Sequence, residues 1–156
     1  MASPDAHGSS ADRELLITRL VKAPRTKVFD AWTDPAHVGL WWGPTGFTTT
    51  TFEHELKVGG RWRFIMHGPD GTDYSNRIVY TEIVRPERLA YEHGKDIDND
   101  PDMFWSRVTF EEQDGKTMLT LRLIVSSAQV REQMEKYAIE GGNQTLDRFE
   151  AYLASL

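Results

Sequence analysis

The chain offers five histidines and no cysteine as candidates for chemistry. Without thiols there are no disulfides, no thiolate nucleophile and no thiolate metal site. The histidines do not make up for this. His7 lies in a polar N-terminal segment and His37 in a short predicted helix, while His54, His67 and His93 fall on separate predicted strands. Glu53-His54-Glu55 is not a zinc-protease motif, which needs two histidines four apart on one helix. No metal site and no cofactor are therefore expected. No nucleophile elbow, phosphate loop or dinucleotide fingerprint occurs, and Ser126-Ser127 is better read as a helix cap than as a nucleophile. No catalytic residue is assigned.

His93 is the one titratable side chain expected to face the interior, because it is in period-two phase with Leu89 and Tyr91. A neutral imidazole there could hydrogen-bond a ligand or act as acid or base. A hydrogen-bonded core histidine is the plainer reading. The same two readings apply to Trp62, Phe64, Met66, Tyr91, Phe104 and Tyr137. They are core residues first, and the wall of an aromatic cavity second. With Ser106, Gly141 and Gly142 they complete the candidate ligand-binding set. Trp41-Trp42 is read as a lid over the sheet end. Arg61, Arg63 and the acidic loop of residues 95–102 are read as solvated, the loop being also able to edge a cavity mouth.

The elements that must position these residues follow from periodicity. Residues 126–156 read as one long amphipathic helix. Val130, Met134, Tyr137, Ala138, Gly141, Thr145, Phe149 and Tyr152 form its stripe, with Leu146 and Leu153 on one flank. Ser126 and Gln129 have capping-box spacing, and Val125 and Val130 staple spacing. Gly141-Gly142 interrupts this helix at roughly 1 kcal/mol per glycine relative to alanine. Either the helix kinks or a sheet residue approaches closely there, or the missing side chains leave room for a ligand. The cavity is the favoured explanation at Gly142.

Upstream, residues 14–22 alternate as a strand. Ala23-Pro24 opens a helix with Pro24 at its first position, and Asp34-Pro35 opens a second short one reaching Trp41. Six strands follow, near residues 47–56, 61–67, 73–84, 89–93, 104–111 and 117–125, separated by Gly, Pro and Asp turns. Trp62, Phe64 and Met66 share one face of the second of these. The inward face of residues 73–84 does not follow from the pattern. In the last strand Leu119, Leu121, Leu123 and Val125 face one way. Strands in succession joined by short turns make an antiparallel sheet, so the class is α+β. A curved sheet closing on the long helix is expected.

Composition agrees with one soluble domain. The 156 residues are 39% hydrophobic and 27% charged, with a net charge of −6. That charge disfavours nucleic acid as a partner. No apolar run approaches a membrane span. Residues 1–12 read as a disordered tail with no signal-peptide core, and residues 13–156 as a single domain. A cytoplasmic location is the default.

In order along the chain stand Ala23-Pro24-Arg25, Val28-Phe29, Ala31-Trp32-Thr33-Asp34-Pro35, Trp41-Trp42-Gly43-Pro44, Val58-Gly59-Gly60-Arg61-Trp62-Arg63-Phe64, Pro86-Glu87-Arg88-Leu89 and Val108-Thr109-Phe110. Together they resemble the heat-shock protein 90 ATPase activator homologue family, within the START-like (SRPBCC, birch-allergen-like) helix-grip superfamily. The resemblance spans Leu15 to Leu153. It implies a seven-stranded curved antiparallel sheet gripping the C-terminal helix around an internal cavity. It implies function loosely, because the superfamily includes lipid carriers, hormone receptors, polyketide cyclases and chaperone activators. Relatives often carry Gly-Trp where this chain has Gly141-Gly142.

The expected function is non-catalytic binding of a small hydrophobic or amphipathic molecule between sheet and helix. One alternative is a cyclase- or aromatase-like enzyme using His93 as acid or base with Tyr91 or Tyr137 assisting. Another is a chaperone-binding module, against which stands the lack of the second domain that the eukaryotic activators carry. A homodimer is left open.

Overall fold

The computed structural model describes residues 11–156. Of the expected tail, residues 1–10, with His7, lie outside the described residues, and Ala11–Arg13 form a 3-10 turn leading into the first strand. The elements are β1 (Glu14–Val21), α1 (Arg25–Thr33), β2 (Thr48–His54), β3 (Arg61–His67), β4 (Asp73–Val84), β5 (Arg88–Lys95), β6 (Phe104–Gln113), β7 (Lys116–Ile124) and α2 (Ala128–Ser155). The strands form one seven-stranded sheet in the order β1-β7-β6-β5-β4-β3-β2, and every neighbouring pair is antiparallel. This is the α+β helix-grip architecture.

Consecutive strands pair through short turns, as the Gly, Pro and Asp signals require. At Gly68-Pro69-Asp70-Gly71 the Asp70 carboxylate accepts from the Thr72 N–H at 3.0 Å, locking the β3–β4 turn. The alternation on β3 puts Trp62 and Phe64 in the core, with Met66 half-buried beside them. On β4, Ile78 and Tyr80 point inward, and a bulge between Tyr80 and Glu82 shifts the phase. That extra residue is why the inward face could not be read from a strict period of two.

Several local expectations are corrected. Pro24 is the residue before α1, in extended conformation, rather than its first helical residue. The second short helix is only a 3-10 turn, Val38–Leu40. Asp34 accepts from the Ala36 N–H at 2.8 Å, closing a local turn, and a segment this short gains too few helical bonds to offset nucleation. Helix α2 starts one residue later than the capping box implies. Ser127, not Ser126, accepts from the Val130 N–H, at 3.1 Å. The Val125 N–H donates to the Arg13 carbonyl at 2.9 Å, which ties the chain to the sheet edge and delays the helix. Ile124, on the outward phase of β7, is buried together with Val125.

The core is aromatic. Trp41 is a core residue, not a lid. It is 1% exposed, donates Nε1–H to the Ala31 carbonyl at 3.0 Å, and packs at a tilt against Phe149 of α2, ring centroids 4.5 Å apart. Trp32 meets the same Phe149 ring at 5.2 Å. The fully buried residues of α2 are Leu146, Phe149 and Leu153. The N-terminal half of the expected stripe is not packed to the same degree: Val130, Met134 and Ala138 are half-buried and Tyr137 is 76% exposed. That half of the helix spans an opening rather than a filled core.

The outer face of the sheet carries charge, but not freely solvated charge. Arg63 and Arg77 converge on Asp96 at 2.9 and 3.0 Å, and Arg77 also meets Asp98 at 2.7 Å. Arg61 pairs with Glu53 at 2.9 Å. The two arginines, Arg63 first, hold the Asp96 carboxyl below its ordinary range. The acidic loop after β5 is thus fastened to β3 and β4 across the sheet.

Candidate functional site

Between the N-terminal half of α2, the concave face of β5, β6 and β7, and the loop of residues 42–46 lies a cavity of about 280 Å³. Strand alternation builds its floor. Tyr91 and His93 project from β5, Phe104 and Ser106 from β6, and Leu121 and Leu123 from β7. Met134, Tyr137, Ala138, Gly141 and Thr145 of α2 form the roof, at the helical steps read from the sequence. Met66, Trp32, Trp42, Gly43, Pro44, Gly142 and Leu146 complete the wall.

Eight of the ten expected site residues line this cavity: Met66, Tyr91, His93, Phe104, Ser106, Tyr137, Gly141 and Gly142. Trp62 and Phe64 do not. Their rings stack on each other at 4.0 Å behind Trp42, whose indole stands 5.1 Å from Trp62. Trp42 takes the wall position instead. Its neighbour relation to α2 is tertiary and has no sequence signal, whereas Leu121 and Leu123 were legible from their phase with Leu119.

Gly142 needs a correction of a different kind. A side chain there would not enter the cavity, because an added Cβ would stand 2.4 Å from Ile17 Cδ1 of β1. The notch at Gly142 is filled by the sheet. Gly141 is different: a Cβ there meets only Pro44 Cγ, at 3.6 Å, an ordinary contact.

Polar groups in the cavity are few. His93 Nε2 lies 3.0 Å from Asn76 Oδ1, and Asn76 Nδ2 donates to the Tyr74 carbonyl at 2.9 Å. Asn76 is in phase with Ile78 and Tyr80, a signal that the bulge on β4 obscured. Burial among Phe104, Phe64 and Trp42 lowers the His93 pKa to about 4, so its imidazole is neutral at physiological pH. Burial likewise pushes the Tyr91 hydroxyl above its ordinary range. Ser106, 3% exposed, has a buried Oγ that makes no hydrogen bond of good geometry, although the Tyr91 hydroxyl lies close enough to interact with it.

The loop of residues 42–46 is held to α2 by two side chains. Arg148 donates from one nitrogen to the Gly43 and Pro44 carbonyls at 2.8 and 2.9 Å, and Gln144 Oε1 accepts from the Thr45 N–H at 3.2 Å. No carboxylate faces Arg148 among the described residues, and burial lowers its pKa. Its charge is satisfied by carbonyl dipoles, and it fixes the loop that forms one cavity wall.

No group of His, Asp and Glu side chains suited to a metal ion occurs among the described residues. No helix among them is long and apolar enough to cross a membrane.

A curved sheet closed on a C-terminal helix around an apolar cavity defines a protein of the helix-grip class. Residues 22–154 match the family described as activator of Hsp90 ATPase homolog 1-like protein, and the chain belongs to that family. Solved structures agree. A Mycobacterium smegmatis protein is 28% identical with a TM-score of 0.83, the match covering 94% of each chain. An Arthrobacter aurescens protein is 24% identical with a TM-score of 0.84, over 95% of this chain and 90% of that one. A Nitrosomonas europaea protein shares the fold at 19% identity, with a TM-score of 0.83, over 93% and 96%. Comparison with curated proteins finds no match.

Proposed function

We propose that this protein binds one small, mainly apolar molecule in the cavity between sheet and α2, without chemical change to it. The observation that carries this reading is an opening of about 280 Å³ walled almost wholly by apolar and aromatic side chains, with two of them, Trp32 and Trp42, able to report on occupancy. Such a volume with a few polar groups suits a compact ring system. The half-buried N-terminal half of α2 supports it too, since a ligand would cover the apolar surface that the protein leaves uncovered.

The test is a titration with 2-methylnaphthalene, followed by tryptophan fluorescence and by melting temperature. Saturable quenching and a raised Tm are expected, because a ligand that binds only the folded state stabilises it. Gly141→Phe should fold, since space stands over Gly141, and should block the response. Absence of saturable binding to the wild-type protein, or binding undiminished in Gly141→Phe, would refute the reading. Native mass spectrometry of protein from its own host would identify the natural occupant. A chaperone as partner is tested separately, by co-precipitation with the heat-shock protein 90 of the same host.

A further inference from the structure

Resting on that reading, the inference concerns which polar end the cavity accepts. Three observations bear on it. The first is the tautomer of His93. The Asn76 amide is oriented by its donation from Nδ2 to the Tyr74 carbonyl, which leaves Oδ1 facing His93 Nε2 at 3.0 Å. An amide oxygen only accepts, so Nε2 carries the proton and Nδ1 is left with a lone pair. No described residue donates to that Nδ1.

The second is Ser106. Its Oγ is buried and makes no hydrogen bond of good geometry, although the Tyr91 hydroxyl lies close enough to interact with it, and its side chain lines the same cavity. Tyr91 pairs with Ser106 and His93 with Phe104 across β5 and β6, so Ser106 and His93 are diagonal neighbours on the concave face. A buried hydroxyl with only a poorly placed partner is costly, and a ligand that supplies a better one lowers that cost.

The third is charge. None of the cavity-lining residues is a lysine or arginine. Arg148, the roof-helix cation beside the loop that walls the cavity, is engaged by the Gly43 and Pro44 carbonyls. Burial keeps the His93 imidazole uncharged. A carboxylate or phosphate entering here would lose its water without gaining a counter-ion.

We propose that the cavity selects an uncharged ring compound bearing a hydroxyl, which donates to His93 Nδ1 and is approached by the Ser106 hydroxyl, and that it discriminates against anionic amphiphiles. His93 is the specificity-determining residue, and Asn76 positions it by holding its proton on Nε2. A site built around a hydrogen bond to a hydroxyl disfavours the analogue that lacks one, because its own buried polar atoms stay unpaired.

The experiment compares 2-naphthol, its near-isostere 2-methylnaphthalene and the anion 2-naphthoate by calorimetric titration of the full chain at neutral pH. The measured quantity is the ratio of naphthol to methylnaphthalene affinity. That ratio should fall about tenfold in His93→Phe and in Asn76→Leu, the size of one hydrogen bond. Methylnaphthalene affinity, measured for each protein, is the reference against which the ratio is taken, and naphthoate should bind the wild type weakest. Long-range proton–nitrogen NMR on the unmodified protein should show His93 protonated on Nε2 alone. A ratio unchanged in His93→Phe, naphthoate binding as tightly as naphthol, or a proton on Nδ1 would each overturn the inference while leaving cavity binding intact. Failure of methylnaphthalene itself to bind the wild type would instead remove the reading on which it rests.

Discussion

Ile17 of β1 and Gly142 of α2 meet so closely that a Cβ on the glycine would stand 2.4 Å from Ile17 Cδ1. This contact sets how near the long helix lies to the sheet edge at mid-length. It explains a glycine in a helix interior by packing rather than by a ligand. Around it Arg19 of β1 donates to Asp147 at 2.6 Å and to Asn143 Oδ1 at 3.0 Å, so the helix is fastened to β1 beside the notch. On the other face of the helix the chain opens into the cavity.

The notch predicts a defined coupling. Gly142→Trp should destabilise the fold by about 3 kcal/mol or more, since overpacking without space typically costs about 1–3 kcal/mol. Gly142→Ala should not yield the roughly 1 kcal/mol that helix propensity alone predicts. Combined with Ile17→Val, which removes Cδ1, the alanine should become stabilising relative to Ile17→Val alone. Urea unfolding of the four proteins in a double-mutant cycle checks this, and strict additivity would show that the contact does not govern the position.

Arg148 should act as the clasp of the loop of residues 42–46. Arg148→Met keeps much of the apolar stem and removes the donors to the Gly43 and Pro44 carbonyls. Stability should fall by about 1–3 kcal/mol. Amide hydrogen exchange at Thr45 and Gly46 should accelerate more than in the sheet. Uniform acceleration across the protein would show that the arginine supports the whole fold rather than the loop.

Burial lowers both His54 and His93 to a pKa of about 4, from an ordinary 6.5. The unfolded chain therefore binds protons first as pH falls. Stability should be full above pH 6.5, decline between 6.5 and about 4, and level off in their contribution below that. His93 contributes up to roughly 3 kcal/mol of that decline, and the less buried, solvent-screened His54 contributes less. His93→Phe should make the slope between pH 7 and 5 shallower. An identical slope in this variant would mean that His93 titrates alike in both states.

The helix start offers a sharp comparison of adjacent serines. Ser127→Ala removes the acceptor for the Val130 N–H and should cost about 1 kcal/mol. Ser126→Ala, at an exposed position, should be close to neutral. Equal losses in chemical denaturation would return the cap to the capping-box register.

The amino-acid sequence alone determined the class of fold, its strand count and most of its element order. It could do so because each signal is local: a period of two on β3, β5 and β6, a period near 3.6 on α2, and turn residues between them. The phase of Leu89 and Tyr91 was enough to send His93 inward, and the alternation along β6 was enough to put Phe104 and Ser106 on one face with Val108 and Phe110. The ordered motifs from Ala23 to Phe110 were enough to place the chain in its family. Tertiary structure decided what local patterns cannot carry. Whether Trp42 or Trp62 reaches the cavity depends on how the loop after α1 folds over the sheet. Which of two adjacent glycines is filled depends on where Ile17, some 125 positions earlier, meets the helix. Asn76 became visible only once the bulge on β4 had set its phase. The proton on His93 follows from a chain of bonds through Asn76 to Tyr74. Periodicity places a side chain on a face, but only packing decides which neighbour it meets there.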